Sequence, residues 1–233
     1  MDGNISFDPQ RIRGLCFDVD GTLSDTDDMF VQRLAHWLAP FRFLFSASNP
    51  RPFARKMVMA TETPGNFMLN LADRIGIDDE ISNAGDFIYR LGLGRSPHPF
   101  LLIQEVRPML EQLHKHYPLS IVSARGQRST MRFLEQFQLE QYFVCIATAH
   151  TCVHAKPYPD QILWAAERMS VSVDECLMIG DTVVDIKAGR AAGAQTVGVL
   201  CGFGHEDELR EAGAGLILSE TPRIADILLN SSF

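Results

Sequence analysis

Apolar residues fall along this chain in two rhythms. Short, nearly unbroken apolar runs stand at Gly14 to Val19, Leu119 to Val122, Phe143 to Ala147, Cys176 to Ile179 and Thr196 to Leu200, with a weaker one at Leu216 to Leu218. Between the later runs the spacing lengthens to that of amphipathic helices. The pattern predicts helices from about Arg107 to His116, with Pro108 suited to a first turn, and from about Gln127 to Gln138. It predicts a third from Asp160, read as its cap, to Met169, and a fourth from Thr182 to Ala192 that Gly193 is placed to end. Strands alternating with helices of this length predict a doubly wound α/β fold, a Rossmann-like core on a parallel sheet.

One interval breaks the alternation. A βα crossover takes roughly 30 residues, yet about 100 residues separate the first two runs. Residues 26–100 carry helical patterning instead: Met29, Leu34, Trp37 and Leu38 mark one segment, and Met57 to Thr61, Phe67 to Ile75 and Ile81 to Leu91 mark others. Asn49-Pro50-Arg51-Pro52, Pro64-Gly65 and Gly92 to Pro99 punctuate them. The expectation is an inserted α-helical subdomain at 26–100, hinged near Ser24 to Asp27 and near Gly94 to Pro99, with a core made of 1–25 and 101–233.

Composition narrows the partners. Of 233 residues, 46% are hydrophobic and 21% charged, as in ordinary globular proteins. The net charge of −8 opposes nucleic acid and anionic membranes, so neither is expected as a partner. A small anionic substrate then requires positive charge concentrated locally. No stretch reaches the roughly 18 apolar residues that span a bilayer, and Met1 to Arg13 is too polar for a signal peptide. The cysteines, Cys16, Cys145, Cys152, Cys176 and Cys201, are scattered and form no CxxC, which suits a reducing cytoplasm. A monomer or homodimer is expected.

The candidate chemistry lies where the runs end. The first run ends in Phe17-Asp18-Val19-Asp20-Gly21-Thr22; Ser123 follows the second, and Asp181 and Asp185 the fourth; Lys156, set between Ala155 and Pro157, follows the third. Ligands of open α/β sheets bind beyond the carboxyl ends of the strands, so these groups should face one crevice. Four carboxylates against one lysine cannot all remain ionised without further positive charge. Oxygen ligands of this kind suit Mg²⁺.

Together these segments resemble the haloacid-dehalogenase superfamily of aspartate-nucleophile phosphohydrolases. Asp18-Val19-Asp20-Gly21-Thr22-Leu23 is similar to its first motif, Ser123 after an apolar run to its second, Lys156-Pro157 to its third, and Gly180-Asp181-Thr182-Val183-Val184-Asp185 to its fourth. The order is the family's, and 26–100 falls where its helical cap domain sits; phosphoglycolate-phosphatase-like members are the nearest in kind. The resemblance implies Asp18 as nucleophile and Asp20 as general acid and base. It implies Mg²⁺ held by Asp18, the backbone carbonyl of Asp20, Asp181 and, directly or through water, Asp185. Thr22, Ser123 and Lys156 would bind the phosphoryl group of a small phosphorylated metabolite. The chain departs from the pattern at Ala124-Arg125-Gly126, where the second motif often has Asn. Arg125, and Arg51 and Arg55 in the insertion, are candidate substrate contacts.

A phosphomutase of the same family would use the same groups, and a non-catalytic scaffold is the alternative of another class. A dehalogenase or phosphonate hydrolase fits less well, because this chain carries Asp20 in the first motif. His150, Cys152 and His154 alternate like ligands but match no zinc spacing and are read as loop. Phe41, Phe43 and Phe45 are read as the cap's own core or its contact with the remainder of the chain.

Overall fold

The computed structural model describes residues 7–25 and 100–230. The expected helical insertion, with Arg51, Arg55 and Phe41 to Phe45, lies outside the described residues apart from its last position, Phe100.

The described residues form a single unit. Its strands are β1 (Gly14–Phe17), β2 (Leu119–Val122), β3 (Cys145–Ala147), β4 (Cys176–Gly180), β5 (Gln195–Val199) and β6 (Leu216–Leu218). Its helices are α1 (Val106–Leu113), α2 (Gln127–Gln136), α3 (Asp160–Met169), α4 (Val183–Ala192), α5 (Glu206–Glu211) and α6 (Arg223–Asn230). The strands lie in the order β3-β2-β1-β4-β5-β6 and every neighbouring pair is parallel. This is the Rossmann order, and it reverses between β1 and β4.

Alternation along the strands sorts the core into two layers. Leu15, Phe17, Leu119, Ile121, Leu177 and Ile179 pack in one layer with Leu110 of α1, Phe133 of α2 and Ile224 of α6. Cys16, Val122, Cys176 and Met178 face the other, against Ile162, Ala165 and Ala166 of α3 and Ala188 of α4. Strands that are apolar on both faces are the reason the runs read as nearly continuous. All five cysteines are free thiols. Among the described residues, no helix is long and apolar enough to cross a membrane.

The first run is cut shorter than its hydrophobicity suggests. β1 stops at Phe17, and the carbonyl of Val19 accepts from the N–H groups of Leu23 at 2.9 Å and Ser24 at 2.8 Å, closing a tight turn. The turn takes Asp18 and Asp20 out of the sheet. The chain leaves and returns to the core at adjacent points: Asp25 N–H donates to Leu101 O at 2.9 Å and Ile103 N–H to Leu23 O at 3.0 Å. Phe100, placed in the insertion by its sequence, bonds Gln136 through both of its backbone polar groups and sets its ring edge-on to Phe133.

One expectation about helices needs adjustment, and two helices go beyond the sequence reading. Asp160 is not the cap of α3; Pro159 stands there, and the Asp160 carboxylate instead meets His154 Nδ1 at 2.9 Å. α5 and α6 were not anticipated. α5 buries only Leu209, too little for a periodic signal. α6 does carry one, with Ile224, Ala225 and Leu228 buried behind Thr221-Pro222.

Candidate active site

Four strands deliver polar groups to one end of the sheet. Asp18 follows β1, Ser123 follows β2 and Asp181 follows β4, each by a single residue, while Lys156 comes from the loop after β3. Asp18 and Asp181 therefore flank the point at which strand order reverses. A backbone bond from Asp18 N–H to Ile179 O, 2.9 Å, fixes the first of them to β4.

The side chains converge tightly. Lys156 Nζ lies 2.6 Å from Asp18 Oδ1 and 2.6 Å from Asp185 Oδ1. Carboxylate oxygens of Asp18, Asp181 and Asp185 all lie within 4.8 Å of one another. These four residues are buried, with at most 6% exposure. Burial pushes the Asp18 carboxyl up from 3.8 to about 7; Lys156 pulls it back, and the charges of Asp185 and Asp20 push it further. Burial also works against the Lys156 ammonium, but Asp18 and Asp185 outweigh it and hold this amine charged well above the usual lysine range.

Three buried carboxylates facing one ammonium leave a surplus of negative charge. Their donors are all hard oxygens, so the residues present fit a hard divalent cation. Local structure braces each of them. Asp181 Oδ2 accepts from Phe203 N–H at 2.9 Å, and Oδ1 from the Thr22 hydroxyl at 3.3 Å. Gly21, at φ 70°, and Gly202 press on the same carboxylate: a Cβ on either would stand 2.2 or 2.1 Å from Asp181 Oδ2. Asp185 serves two purposes. Its Oδ2 accepts from the backbone and hydroxyl of Thr182, at 3.0 and 2.6 Å, and so ties down the first turn of α4, while Oδ1 faces Lys156.

Other predicted residues sit as follows. The Asp20 carboxylate stands outside the buried trio and is paired through both oxygens with Arg125, whose guanidinium also lies 5.0 Å from the Phe100 ring centroid. Arg125, offered by the sequence as a substrate contact, thus holds Asp20. Thr22 Oγ1, offered for phosphate, points to Asp181. Ser123 Oγ accepts from Arg125 N–H at 3.1 Å and shapes the turn after β2. His154 is engaged with Asp160 and stacks near Tyr158, and no cluster of His150, Cys152 and His154 forms among the described residues.

Sequence reasoning missed Gln161. This buried side chain bonds the backbone at Ser123, Thr148 and Lys156. The available signal was a polar residue on the face of α3 that buries Ile162, Ala165 and Met169. It also missed Gly202 and Phe203, because nothing in the loop after β5 signals contact with Asp181.

A Rossmann-ordered sheet with an aspartate beyond each of its two central strands, and a lysine between acidic groups, defines a class of α/β hydrolase. Residues 15–199 match the family model for haloacid dehalogenase-like hydrolases, and the chain belongs to that family. It is 29% identical over 194 residues to a protein named pyrophosphatase PpaX from Anoxybacillus flavithermus, covering 81% of this chain and 84% of that one. A pyrophosphatase PpaX from Oceanobacillus iheyensis is 24% identical over 225 residues, covering 94% and 98%. Among solved structures, a hydrolase from Pseudomonas syringae superposes with a TM-score of 0.66 at 26% identity, over 94% of this chain and 98% of that one. A "predicted phosphoglycolate phosphatase" from Haemophilus somnus shares the fold, with a TM-score of 0.65 at 20% identity over 93% and 98%.

Proposed function

We propose that this hydrolase is a Mg²⁺-dependent phosphatase that cleaves a small phosphorylated metabolite through an aspartyl-phosphate on Asp18. The observation that carries the reading is the buried Asp18 carboxylate, 2.6 Å from Lys156 and beside Asp181 and Asp185 at the strand-order reversal. Asp18, Asp181, the Asp20 carbonyl and Asp185 would hold the cation. When bound, it supplies positive charge that draws the phosphoryl oxygens in and favours ionised Asp18.

An Asp18 oxygen attacks phosphorus, and the bond to the leaving oxygen breaks. Asp20 donates a proton to that oxygen, for which it must exchange its Arg125 partner for the substrate. Asp20 then takes a proton from water as the water attacks the aspartyl-phosphate, releasing orthophosphate and restoring Asp18. Lys156 neutralises a phosphoryl oxygen throughout. Ser123 Oγ accepts from Arg125 N–H, so its own O–H is a donor suited to the phosphoryl group. In this reading 26–100 is the cap that covers the substrate, and Arg51 and Arg55 meet its far end. The names of the relatives make inorganic pyrophosphate one compound to try.

The test is hydrolysis of para-nitrophenyl phosphate and of pyrophosphate with Mg²⁺, with EDTA, and by Asp18→Asn. The reading expects turnover that needs Mg²⁺ and falls at least about a thousandfold in Asp18→Asn. Turnover untouched by either control would contradict it. Isomerisation of a sugar phosphate without orthophosphate release would replace it with the phosphomutase.

A further inference from the structure

Gln161 has no exposed surface, yet both ends of its amide are used. Nε2 donates to Thr148 O at 2.7 Å and to Ser123 O at 3.1 Å, while Oε1 accepts from Lys156 N–H at 3.2 Å. Only this orientation works, since exchanging N and O would set oxygen against two carbonyls. Ser123 and Thr148 lie just beyond β2 and β3, past the last ladder pair, Val122 and Ala147. One side chain from the first turn of α3 therefore ties two strand ends to the loop that carries Lys156.

Lys156 is consequently held at two points. Its ammonium is held by charge, from Asp18 and Asp185, and its backbone by the Gln161 amide. The two holds differ in the proposed reaction cycle. When the Asp18 oxygen bonds to phosphorus as an acyl phosphate, its carboxylate charge is exchanged for that of the phosphoryl oxygens, so the charges that hold the ammonium shift position during the cycle. The bond from Gln161 is untouched by that change. We propose that Gln161 is a positioning residue that keeps the Lys156 ammonium at the phosphoryl group through both halves of the reaction; the inference rests on the phosphatase reading. Losing such a hold displaces a charged group, and a misplacement of about 1 Å can cost on the order of a hundredfold in rate.

The experiment uses the full chain with Gln161→Met, which fills similar volume without the three bonds, and Gln161→Glu, which keeps an acceptor for Lys156 N–H but turns an oxygen toward the two carbonyls. Three quantities are measured: kcat and KM for para-nitrophenyl phosphate, thermal melting, and the acetylation rate of each lysine by acetic anhydride, read by peptide mass spectrometry. Lys115 and Lys187 are exposed and serve as internal references. The inference expects a cooperatively melting Gln161→Met protein, a kcat lower by about 10- to 100-fold, and Lys156 acetylated several-fold faster relative to Lys115 and Lys187. Should Gln161→Met fail to fold, Gln161→Glu is expected to show the same two changes. Lys156 as protected as in the parent protein, in a folded variant, would overturn the inference even if stability or kcat fell. A parent protein inactive on every phosphate ester, with Lys156 still unmasked in the variant, would sink the phosphatase reading and leave the anchoring of Lys156 standing.

Discussion

At Asp18 two effects pull in opposite directions. Burial and the charges of Asp185 and Asp20 favour the protonated acid, Lys156 favours the carboxylate, and the balance lies at about 7. An unfolded Asp titrates near 3.8. Between these values the metal-free folded chain holds a proton that the unfolded chain has released. The Asp18 contribution to stability therefore declines as pH rises through that window, and its penalty is complete once the pH passes about 7. We predict that the melting temperature of EDTA-treated protein falls from pH 5 to pH 8 more steeply than that of Asp18→Asn. Cation uptake near pH 6 should release protons, measurable by calorimetry in buffers of different ionisation enthalpy. Equal slopes for the two proteins would contradict the assignment. Gly21 gives a second prediction. At φ 70° and against Asp181, it has no room for a Cβ. Gly21→Ala should weaken cation binding by roughly 10- to 100-fold, read by Mg²⁺ titration. Asp18, Asp181 and Lys156 were legible in the sequence because each is a reactive polar group at the end of an apolar run or, for Lys156, next to Pro157 in a proline-marked turn. Gln161 and the Arg125–Asp20 pair were not, because spacing along a chain says nothing about which carbonyl or carboxylate a side chain meets across the sheet.

The elements fix how rigidly those residues are presented. α4 begins at the capping pair Thr182 and Asp185 and lies close on β4 and β5: a Cβ on Gly189 would stand 2.4 Å from Thr196 Cγ2 and 3.0 Å from Met178 Cβ. Gly189→Val should force the helix off the sheet and cost about 1–3 kcal/mol, read by urea unfolding. Because Asp185 rides on that helix, Mg²⁺ affinity should fall with it. A variant as stable as the parent would refute the close packing. Each of the six strands was visible as an apolar run, since burial on both faces leaves few polar interruptions. Their ends were less so: Val19 reads as strand but closes the turn that frees Asp20. α5 escaped notice because a helix of six residues with one buried side chain has almost no periodicity.

In the molecule as a whole, a doubly wound core is interrupted at a single place. Asp25 and Leu101 are hydrogen-bonded neighbours, so the path from 26 to 99 starts and finishes at one spot. Replacing residues 26–99 with a short Gly-Ser linker should leave a core that melts cooperatively, because Asp25 and Leu101 are already hydrogen-bonded neighbours and the described residues supply a six-stranded sheet with an apolar layer on each face. If that interval covers the substrate, the shortened protein should raise KM for a large phosphate ester far more than for para-nitrophenyl phosphate. An unfolded product would show that the core depends on the interval. The net charge of −8 sits uneasily with an anionic substrate unless positive charge is concentrated, and the buried Lys156, charged and central, meets that need within the core.

The proposed reaction passes through a phosphoryl group bonded to Asp18. The most direct measurement is a rapid acid quench of the Mg²⁺-loaded protein during turnover, followed by peptide mass spectrometry. The account predicts one phosphoryl group on the peptide containing Asp18, discharged by hydroxylamine and absent from Asp18→Asn. Turnover at the same rate with no phosphoryl group on that peptide in the parent protein, or with the label on another residue, would contradict it.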